Sequence, residues 1–381
     1  MGDIVSISHL RWDFVWQRPQ HLLSRLARQG RVLFVEEPVA AALDTNPYLE
    51  ISPAQNAPGV TIARLHYPVS ESRWIGHGDP LTQTTYTCLL NEYLQSVGYG
   101  AGDGPLLWLY TPMALDFADN IKHKQLVYDV MDQLAAFKGA PPELLAMEEN
   151  LLRRADTVFT GGVSLYRAKL PYNFHTYLFP SGVEVEHFAQ AAHRQAFSLP
   201  PELAELTGPI LGYYGVIDER MDLRLLAHLA AAHPEWNIVL LGPILKIDAA
   251  DLPTAPNLSY PGMKTYDQLP AYLAYFDVAL IPFAMNEATR FLSPTKTLEY
   301  MAAHKPIVSN PIPDVVELYD EVVRIAHSPT EFVAQVEAAL QAADNSQRRP
   351  REDQLLAQYT WDNIATQMEK IVSRSQLAVV S

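Results

Sequence analysis

The first half of the chain alternates short apolar runs with segments whose apolar residues recur at helical spacing. Such runs indicate buried strands, and a strand, a helix and a strand within roughly 35 residues form the βαβ unit of a parallel sheet. The predicted strands span residues 4–8, 31–36, 60–65, 106–110, 125–130, 157–160 and 175–179. The predicted helices span residues 19–29, 85–97 and 141–155, and a further helix begins at Ser164.

This rhythm stops over residues 179–206, which are polar and alanine-rich, and then restarts. A break of this kind indicates a domain boundary. The second half has predicted strands at 209–215, 237–242, 278–283, 306–310 and 322–326, predicted helices at 222–233, 265–276, 328–343 and 361–371, and a charged loop at 347–353. We therefore predict an α/β protein with a first domain at 1–180, a linker at 181–206, a second domain at 207–358 and a C-terminal helix within 359–381.

Ser293 and Pro294 predict the start of one more helix, because serine caps helices and proline fits their first turn. Since predicted strands flank it, this helix would begin at the carboxyl edge of a parallel sheet, where open α/β sheets bind ligands. Its free N–H groups would attract phosphate, and Lys296 and Glu299 would share one face. The pattern fits either a phosphate site or an ordinary amphipathic surface helix.

The composition is that of a soluble globular protein, with 48% hydrophobic and 19% charged residues among 381. A net charge of −15 argues against a general nucleic-acid binder. The single Cys88 excludes an intrachain disulfide and fits a reducing compartment. Because the chain starts without a signal peptide and lacks an apolar run of about 18 residues, we expect a cytoplasmic protein.

Five arginines concentrate positive charge in the region of the first predicted helix: Arg11, Arg18, Arg25, Arg28 and Arg31. Such a cluster on an acidic chain fits peripheral contact with anionic lipid at the inner face of a membrane. A solvated helix face is the alternative interpretation.

Three common ligand-binding motifs are missing from the sequence. The glycine fingerprint of dinucleotide-binding domains follows neither residues 4–8 nor residues 209–215, and the chain contains neither a Walker loop nor H-E-x-x-H. The ligand is therefore expected to be held by helix ends and by individual side chains.

Several segments resemble, in the same order, motifs of nucleotide-sugar glycosyltransferases with two Rossmann-like domains, the GT-B type. These segments are FPSGVEVEHF, GYYGVIDERMDLRLL, PGMKTYDQLPAYLAYFDVALIPF and SPTKTLEYMAAHKPIVSN. In the N-terminal loop, Trp16 followed by RPQHL resembles a bacterial group of family 4 and family 1 type. The closing TWDNIATQME is similar to the last helix of these enzymes, which crosses back to the first domain.

The resemblance implies two Rossmann-like domains facing each other across a cleft, and transfer of a sugar from a nucleotide diphosphate, most often UDP. It implies that Lys296 and the helix start neutralise the diphosphate without a metal or other cofactor, and that Glu299 binds the ribose hydroxyls. The donor-binding candidates are Lys296, Glu299, Thr295, Ser293, Arg220, Gly215, Glu287 and Pro243. The acceptor would be a saccharide, a lipid-linked sugar or another small molecule used in polysaccharide or glycoconjugate synthesis.

Two departures from the family pattern affect the donor side. Related enzymes often carry Arg and Lys near positions 216 and 221, where this chain has Val216 and Met221. Arg220 could replace them, or it could pair with a neighbouring aspartate. Related enzymes also carry a Glu eight residues before the helix Glu, where this chain has Phe291, while Glu287 lies earlier in the loop. Whether the sugar keeps its anomeric configuration is thus left open.

The first half supplies candidates for acid–base chemistry and acceptor binding. Asp129 and Asp132 follow a predicted strand and could act as general base or cap the next loop. His9 and Asp13 follow the first strand and are further candidates. The acceptor-loop candidates, each with a packing role as alternative, are Trp12, Arg18 and Tyr110. Two other functions fit the same plan: a sugar-nucleotide epimerase and a non-catalytic sugar-nucleotide-binding subunit.

Overall fold

The computed structural model describes residues 2–342 and 346–379. The chain divides into two compact units, which we call the N-terminal unit (Met1–Phe179 with Asp362–Ser381) and the C-terminal unit (Pro180–Trp361). Each unit is built on a mainly parallel sheet whose central strands are apolar and fully buried. Strands of this kind are buried on both faces by the helices that connect them.

The sheet of the N-terminal unit has strand order β3-β5-β2-β1-β6-β7-β8-β9, with β4 antiparallel to β5 and all other pairs parallel. Its strands are β1 (Ile4–Ile7), β2 (Val32–Val35), β3 (Val39–Ala41), β4 (Tyr48–Pro53), β5 (Val60–Pro68), β6 (Leu106–Leu109), β7 (Gln125–Val130), β8 (Thr157–Thr160) and β9 (Thr176–Leu178). Its helices are α1 (Arg18–Leu26), α2 (Pro80–Ser96), α3 (Leu115–Ala118), α4 (Leu144–Arg154) and α5 (Val163–Lys169), joined by the C-terminal helix (Trp361–Val379).

The sheet of the C-terminal unit is parallel throughout, with order β12-β11-β10-β13-β14-β15. Its strands are β10 (Ile210–Tyr214), β11 (Asn237–Leu241), β12 (Leu258–Gly262), β13 (Val278–Ile281), β14 (Ile307–Ser309) and β15 (Arg324–Ile325). Its helices are α6 (Val185–Ala189), α7 (Leu223–Ala232), α8 (Leu269–Tyr275), α9 (Lys296–Ala302), α10 (Pro313–Tyr319), α11 (Pro329–Gln341) and α12 (Arg349–Gln358); the C-terminal helix is α13.

Each sheet reverses its direction of growth once. In the N-terminal unit the reversal lies between β1 and β6, and in the C-terminal unit between β10 and β13. The loops that leave two such strands diverge to opposite faces of the sheet, which opens a crevice at their carboxyl ends. We call these places the N-terminal and C-terminal switch points, and each is where a ligand is expected in its own unit.

The predicted linker is folded into the C-terminal unit. Residues 185–192 form α6 and a short 3-10 turn, and Phe188 and Ala191 are fully buried in the core of that unit. The charged run at 347–353 is also more ordered than predicted, since most of it starts α12. Helix α11 is described to Gln341, and its predicted end at residue 343 lies outside the described residues.

The C-terminal helix packs on the N-terminal unit and supplies the carboxylate that pairs with two arginines of the predicted cluster. Arg25 and Arg28 both donate to Asp362, at 3.1 and 2.7 Å. The other arginines of the cluster also meet carboxylates: Arg11 meets Glu36, Arg18 meets Asp129 and Arg31 meets Asp3. The positive charge is therefore used within the unit, which favours structural pairing over the predicted lipid contact. Residues 380–381 of the predicted helix segment lie outside the described residues.

Candidate functional site

At the C-terminal switch point, each of two neighbouring strands is followed by a glycine, so the backbone there carries no side chains. Gly215 follows β10 with φ of 140°, and Gly242 follows β11 with φ of 152°, in the region that favours glycine. A Cβ on Gly242 would overlap the carbonyl oxygen of Gly215. The close approach of these two loops therefore requires glycine, and it leaves bare backbone facing any ligand at this edge.

Lys296 lies directly against this glycine backbone. A Cβ added to Gly215 would overlap Cε of Lys296 and would lie 2.7 Å from its Nζ. The ammonium is 5.7 Å from the centre of the Tyr213 ring, which is buried beneath it. The structure thus brings together Lys296 and Gly215, two residues predicted from separate motifs, and a cation there can meet an anionic ligand that contacts the bare backbone.

Glu299 follows one turn after Lys296 on α9 and is half-buried. Burial raises the pKa of its carboxyl group, and the nearby Lys296 ammonium opposes that rise. Thr297, between them, has a buried Oγ1 with no hydrogen-bond partner among the described residues. Polar atoms in this state normally find a partner in a complete complex, because an unpaired buried polar group costs about 1–3 kcal/mol.

The start of α9 differs from the prediction. Thr295, rather than Ser293, occupies the N-cap, and its side chain makes no capping hydrogen bond. Ser293 and Pro294 lie just before the helix, and the Thr297 N–H donates to the Pro294 carbonyl at 3.2 Å in a tighter turn. The prediction of Ser293 as the cap was wrong because this first turn is tighter than the α-helical one.

Arg220 is held by its own loop. Its guanidinium makes a two-pronged contact with the buried Asp218, with nitrogen–oxygen distances of 2.9 and 2.7 Å. Asp222, the other candidate partner, instead caps α7 by accepting from the Leu225 N–H. Of the two predicted alternatives for Arg220, the structure shows the ion pair. The same loop carries Glu219, whose two carboxylate oxygens are buried and have no hydrogen-bond partner in the described ranges.

Glu287 and Pro243 occupy less direct positions than predicted. The Glu287 side chain is 79% exposed and lies 3.8 Å from Arg290, as an ordinary loop carboxylate would. The Pro243 carbonyl accepts from the Ile217 N–H at 2.9 Å. Pro243 therefore braces the loop after β10, and neither residue is placed against Lys296 by any contact that the structure shows.

At the N-terminal switch point, Asp129 forms a buried ion pair and is not the available base that was predicted. Its oxygens lie 2.9 and 3.1 Å from Nε of Arg18, which is also buried, and Arg18 further donates to the Phe179 carbonyl. Tyr110 is buried beside them, and burial followed by the Asp129 charge raises its pKa well above the ordinary value. The Arg18–Asp129 pair therefore ties α1 to β7, with Tyr110 buried next to it.

Trp12 is a core residue, so of its two predicted roles the structure shows packing rather than contact with the acceptor. It is 2% exposed and its ring packs edge-on against Phe34 and Trp16, with centroids 5.0 and 5.9 Å apart. Its backbone N–H donates to Glu36 at 2.8 Å. The ring therefore stabilises the loop after β1 from inside.

The other acid–base candidates remain at the carboxyl edge of the N-terminal sheet. His9 and Asp132 are half-buried after β1 and β7, and Asp13 is exposed. Two neighbours that the sequence did not single out join them: His77, which is 2% exposed, and Glu37, which follows β2. His77 Nε2 contacts the Ser8 carbonyl oxygen at 2.9 Å and so ties its loop to the end of β1.

Burial shifts the pKa of both additional residues. Burial lowers the pKa of His77 to about 4, so the ring is neutral at pH 7. Burial also raises the pKa of Glu37 to about 7, against the opposing effects of Arg11 and the His77 backbone. The only sequence signal for Glu37 was a carboxylate directly after a predicted strand, which many loops contain.

Two features are absent from the described residues, 2–342 and 346–379. Within them no group of three or more His, Cys, Asp or Glu side chains is arranged to hold a metal ion. No helix there combines the length and the apolar character needed to cross a bilayer.

The chain is similar to proteins described as glycosyltransferases. A family model described as glycosyl transferase-like matches residues 220–370. TuaH of Bacillus subtilis (strain 168), provisionally named a teichuronic acid biosynthesis glycosyltransferase, is 24% identical over 336 residues, with 79% of this chain and 82% of that protein covered.

Two solved structures match the whole chain. Sucrose-phosphate synthase from Thermosynechococcus elongatus has a TM-score of 0.71 at 15% identity and covers 100% of both chains. A UDP-forming α,α-trehalose-phosphate synthase from Burkholderia xenovorans, solved in complex with glucose-6-phosphate, has a TM-score of 0.65 at 12% identity and covers 98% of this chain and 99% of that one. This likeness shows the fold, which is the predicted GT-B type with Rossmann-like domains.

The family match and the relative confirm the predicted class of enzyme: the protein is a glycosyltransferase. They do not favour the epimerase or the non-catalytic subunit that the sequence left open.

Proposed function

We propose that this glycosyltransferase takes its sugar from a UDP-sugar and binds the diphosphate at the C-terminal switch point, against Lys296. The observation that carries the proposal is the contact of the Lys296 side chain with the backbone of Gly215 at the end of β10. A diphosphate needs a cation and a close approach to backbone, and this place offers both. The UDP-forming trehalose-phosphate synthase with the same fold supports the choice of nucleotide.

The chemistry that Lys296 would perform is stabilisation of the leaving group. When the bond between the anomeric carbon and the phosphate oxygen breaks, its electron pair stays on the diphosphate, whose negative charge increases. An ammonium fixed beside that oxygen interacts more strongly with the transition state than with the intact donor, which lowers the barrier. This step needs no metal, and the residues that would hold the phosphates are Lys296, Gly215 and Thr297.

Glu299 would fix the nucleoside part of the donor. Its half-buried carboxylate is suited to accept hydrogen bonds from two neighbouring ribose hydroxyls, and the charge of Lys296 favours the ionised form that accepts them. Binding of the nucleoside and of the diphosphate would thus be linked through one turn of α9.

The acceptor in this proposal is a hydroxyl-bearing saccharide, free or carried on a lipid, and it binds the N-terminal unit. Two relatives support this class: one is named for polysaccharide synthesis, and the other was solved with a sugar phosphate. The candidates for direct contact with the acceptor are His9, Asp13 and Asp132, because they are exposed or half-buried whereas Asp129 is fully buried.

The test is UDP release from a panel of UDP-sugars with the protein and with Lys296→Ala and Glu299→Ala. Removing one preorganised group that stabilises developing charge typically costs about 10²–10³ in turnover, and we expect a loss of that size for Lys296→Ala. Lys370→Ala, an exposed lysine on α13, is the matched control and should leave turnover unchanged. Equal turnover in all four proteins would contradict the proposal.

A further inference from the structure

Trp74 is exposed in a way that sets it apart from the core tryptophans. Its side chain is 65% exposed, on the loop between β5 and α2. Four other tryptophans are at most 4% exposed: Trp12, Trp108, Trp236 and Trp361. A large aromatic ring held at the surface retains an apolar face that is available to a ligand.

Gly76 brings this ring close to a carboxylate. A Cβ on Gly76 would overlap the six-membered edge of the Trp74 indole and would lie 3.0 Å from Oε1 of Glu37. The absence of a side chain at residue 76 is therefore what allows the indole and the carboxylate to meet over the same backbone atom. His77, the next residue, is tied to the end of β1 through Ser8, so the arrangement lies at the N-terminal switch point.

One oxygen of the Glu37 carboxylate accepts no hydrogen bond from the described residues. Its Oε1 is buried and has no hydrogen-bond partner in the part of the chain that the structure describes. A buried carboxyl oxygen without a donor is destabilising, so its retention needs an explanation outside the packing of the unit.

From this geometry we infer that Trp74, Gly76 and Glu37 form a saccharide subsite. A pyranose ring has an apolar C–H face and an edge of hydroxyl groups, and it is matched by an aromatic plane with a carboxylate at its border. The indole stacks on the C–H face, and a ring hydroxyl donates to Oε1 of Glu37. A hydroxyl both donates and accepts, so it satisfies Glu37 in its ionised and its protonated form. That the saccharide is the acceptor rests on the proposed function.

The experiment is binding of the fluorescently labelled full-length protein to an array of defined mono- and oligosaccharides. We expect wild type to bind at least one saccharide, and Trp74→Ala and Glu37→Ala to lose at least tenfold in apparent affinity. Gly76→Ala should have the same effect, because its Cβ would push the indole and the carboxylate apart. Phe174→Ala is the matched control, since this aromatic residue is 88% exposed on the same unit, and its binding should equal that of wild type.

Thermal melts check that each variant folds, and calorimetry with UDP keeps the two proposals apart. Intact UDP binding without binding of any arrayed saccharide would overturn the subsite and leave the donor proposal standing. Saccharide binding without UDP binding would overturn the donor proposal and leave the subsite standing. Saccharide binding that survives Trp74→Ala and Glu37→Ala would also overturn the subsite. A role for Trp74 in lipid contact would overturn the subsite too. Its sign would be binding to phosphatidylglycerol vesicles that is lost in Trp74→Ala while saccharide binding stays unchanged.

Discussion

The two switch points share one topology and carry different chemistry. At the C-terminal switch point, glycines expose the backbone at the ends of β10 and β11, and Lys296 lies against one of them. At the N-terminal switch point, the corresponding cation, Arg18, is buried and neutralised by Asp129, and the polar groups nearer the surface are carboxylates and histidines. One sheet topology thus presents a cation against bare backbone at one switch point and carboxylates and histidines at the other, because the loops supply the side chains.

The largest effect is expected on stability, when the guanidinium that pairs with the buried Asp129 is removed. Arg18→Ala leaves Asp129 buried without a partner, and breaking a buried pair in this way costs about 3–5 kcal/mol of unfolding free energy. Urea denaturation measures the loss. Arg154→Ala, which breaks an exposed pair with Asp119, is the control and should cost less than about 1 kcal/mol. If the two variants are equally stable, the pair at the N-terminal switch point has no structural role.

A second prediction concerns pH. The pKa of Glu37 is raised to about 7 from an ordinary 4.5, so the folded state holds this proton more tightly than the unfolded state does. The resulting stabilisation is complete below pH 4.5 and is lost as pH rises through 7, and it amounts to up to about 3 kcal/mol at roughly 1.4 kcal/mol per pKa unit.

Glu37→Gln removes this titration, so we expect the variant to lose less stability than wild type between pH 5 and pH 8 (about 2–3 kcal/mol less). The charged group that acts on Glu37 is Arg11, and the backbone of His77 donates a hydrogen bond to it; both remain in the variant. Urea denaturation at the two pH values measures the difference, with Glu71→Gln, an exposed carboxylate before α2, as control. Parallel pH dependence in wild type and Glu37→Gln would show that burial does not perturb this carboxyl group.

A third prediction tests the glycine backbone of the C-terminal switch point. Gly215→Ala places a Cβ where Cε of Lys296 lies, so we expect UDP affinity to fall by about 10–100-fold, or roughly 1.4–2.7 kcal/mol, by calorimetry. Gly98→Ala also has a positive φ, of 63°, but meets no atom within 4 Å, so it controls for backbone strain and should bind UDP as wild type does. Unchanged affinity in Gly215→Ala would mean that the lysine and the glycine do not share a ligand.

The smallest effect is expected at Glu287. Because its side chain is 79% exposed, Glu287→Gln should change turnover by less than about twofold, as surface substitutions usually do. A loss of tenfold or more in the UDP-release assay would show that this loop contacts the donor sugar during the reaction.

Much of the fold could be predicted from the sequence, because buried parallel strands are short apolar runs and their order along the chain sets the βαβ units. The residues 278–281 and 307–309, for instance, are strands as predicted, and Lys296 lies between them at the edge where ligands bind. Lys296 and Glu299 could be singled out because both the local pattern and a family motif point to them.

The rest depended on contacts between residues far apart in the chain. Arg18 and Asp129 are separated by 111 residues, and no local pattern reveals that they neutralise each other. The sequence does not distinguish Trp12 from Trp74, yet the first is buried and the second is exposed. Glu37 could not be distinguished from an ordinary loop carboxylate, because its burial comes from the loop that carries Gly76 and His77.

The central claim is that the diphosphate binds the C-terminal and not the N-terminal switch point. The most direct test is the electron density of UDP soaked into crystals of the protein. We expect a diphosphate oxygen within hydrogen-bond distance of Lys296 Nζ, about 2.7–3.2 Å, next to Gly215. Density for the diphosphate beside Glu37 and His77, or anywhere beyond reach of Lys296, would contradict it.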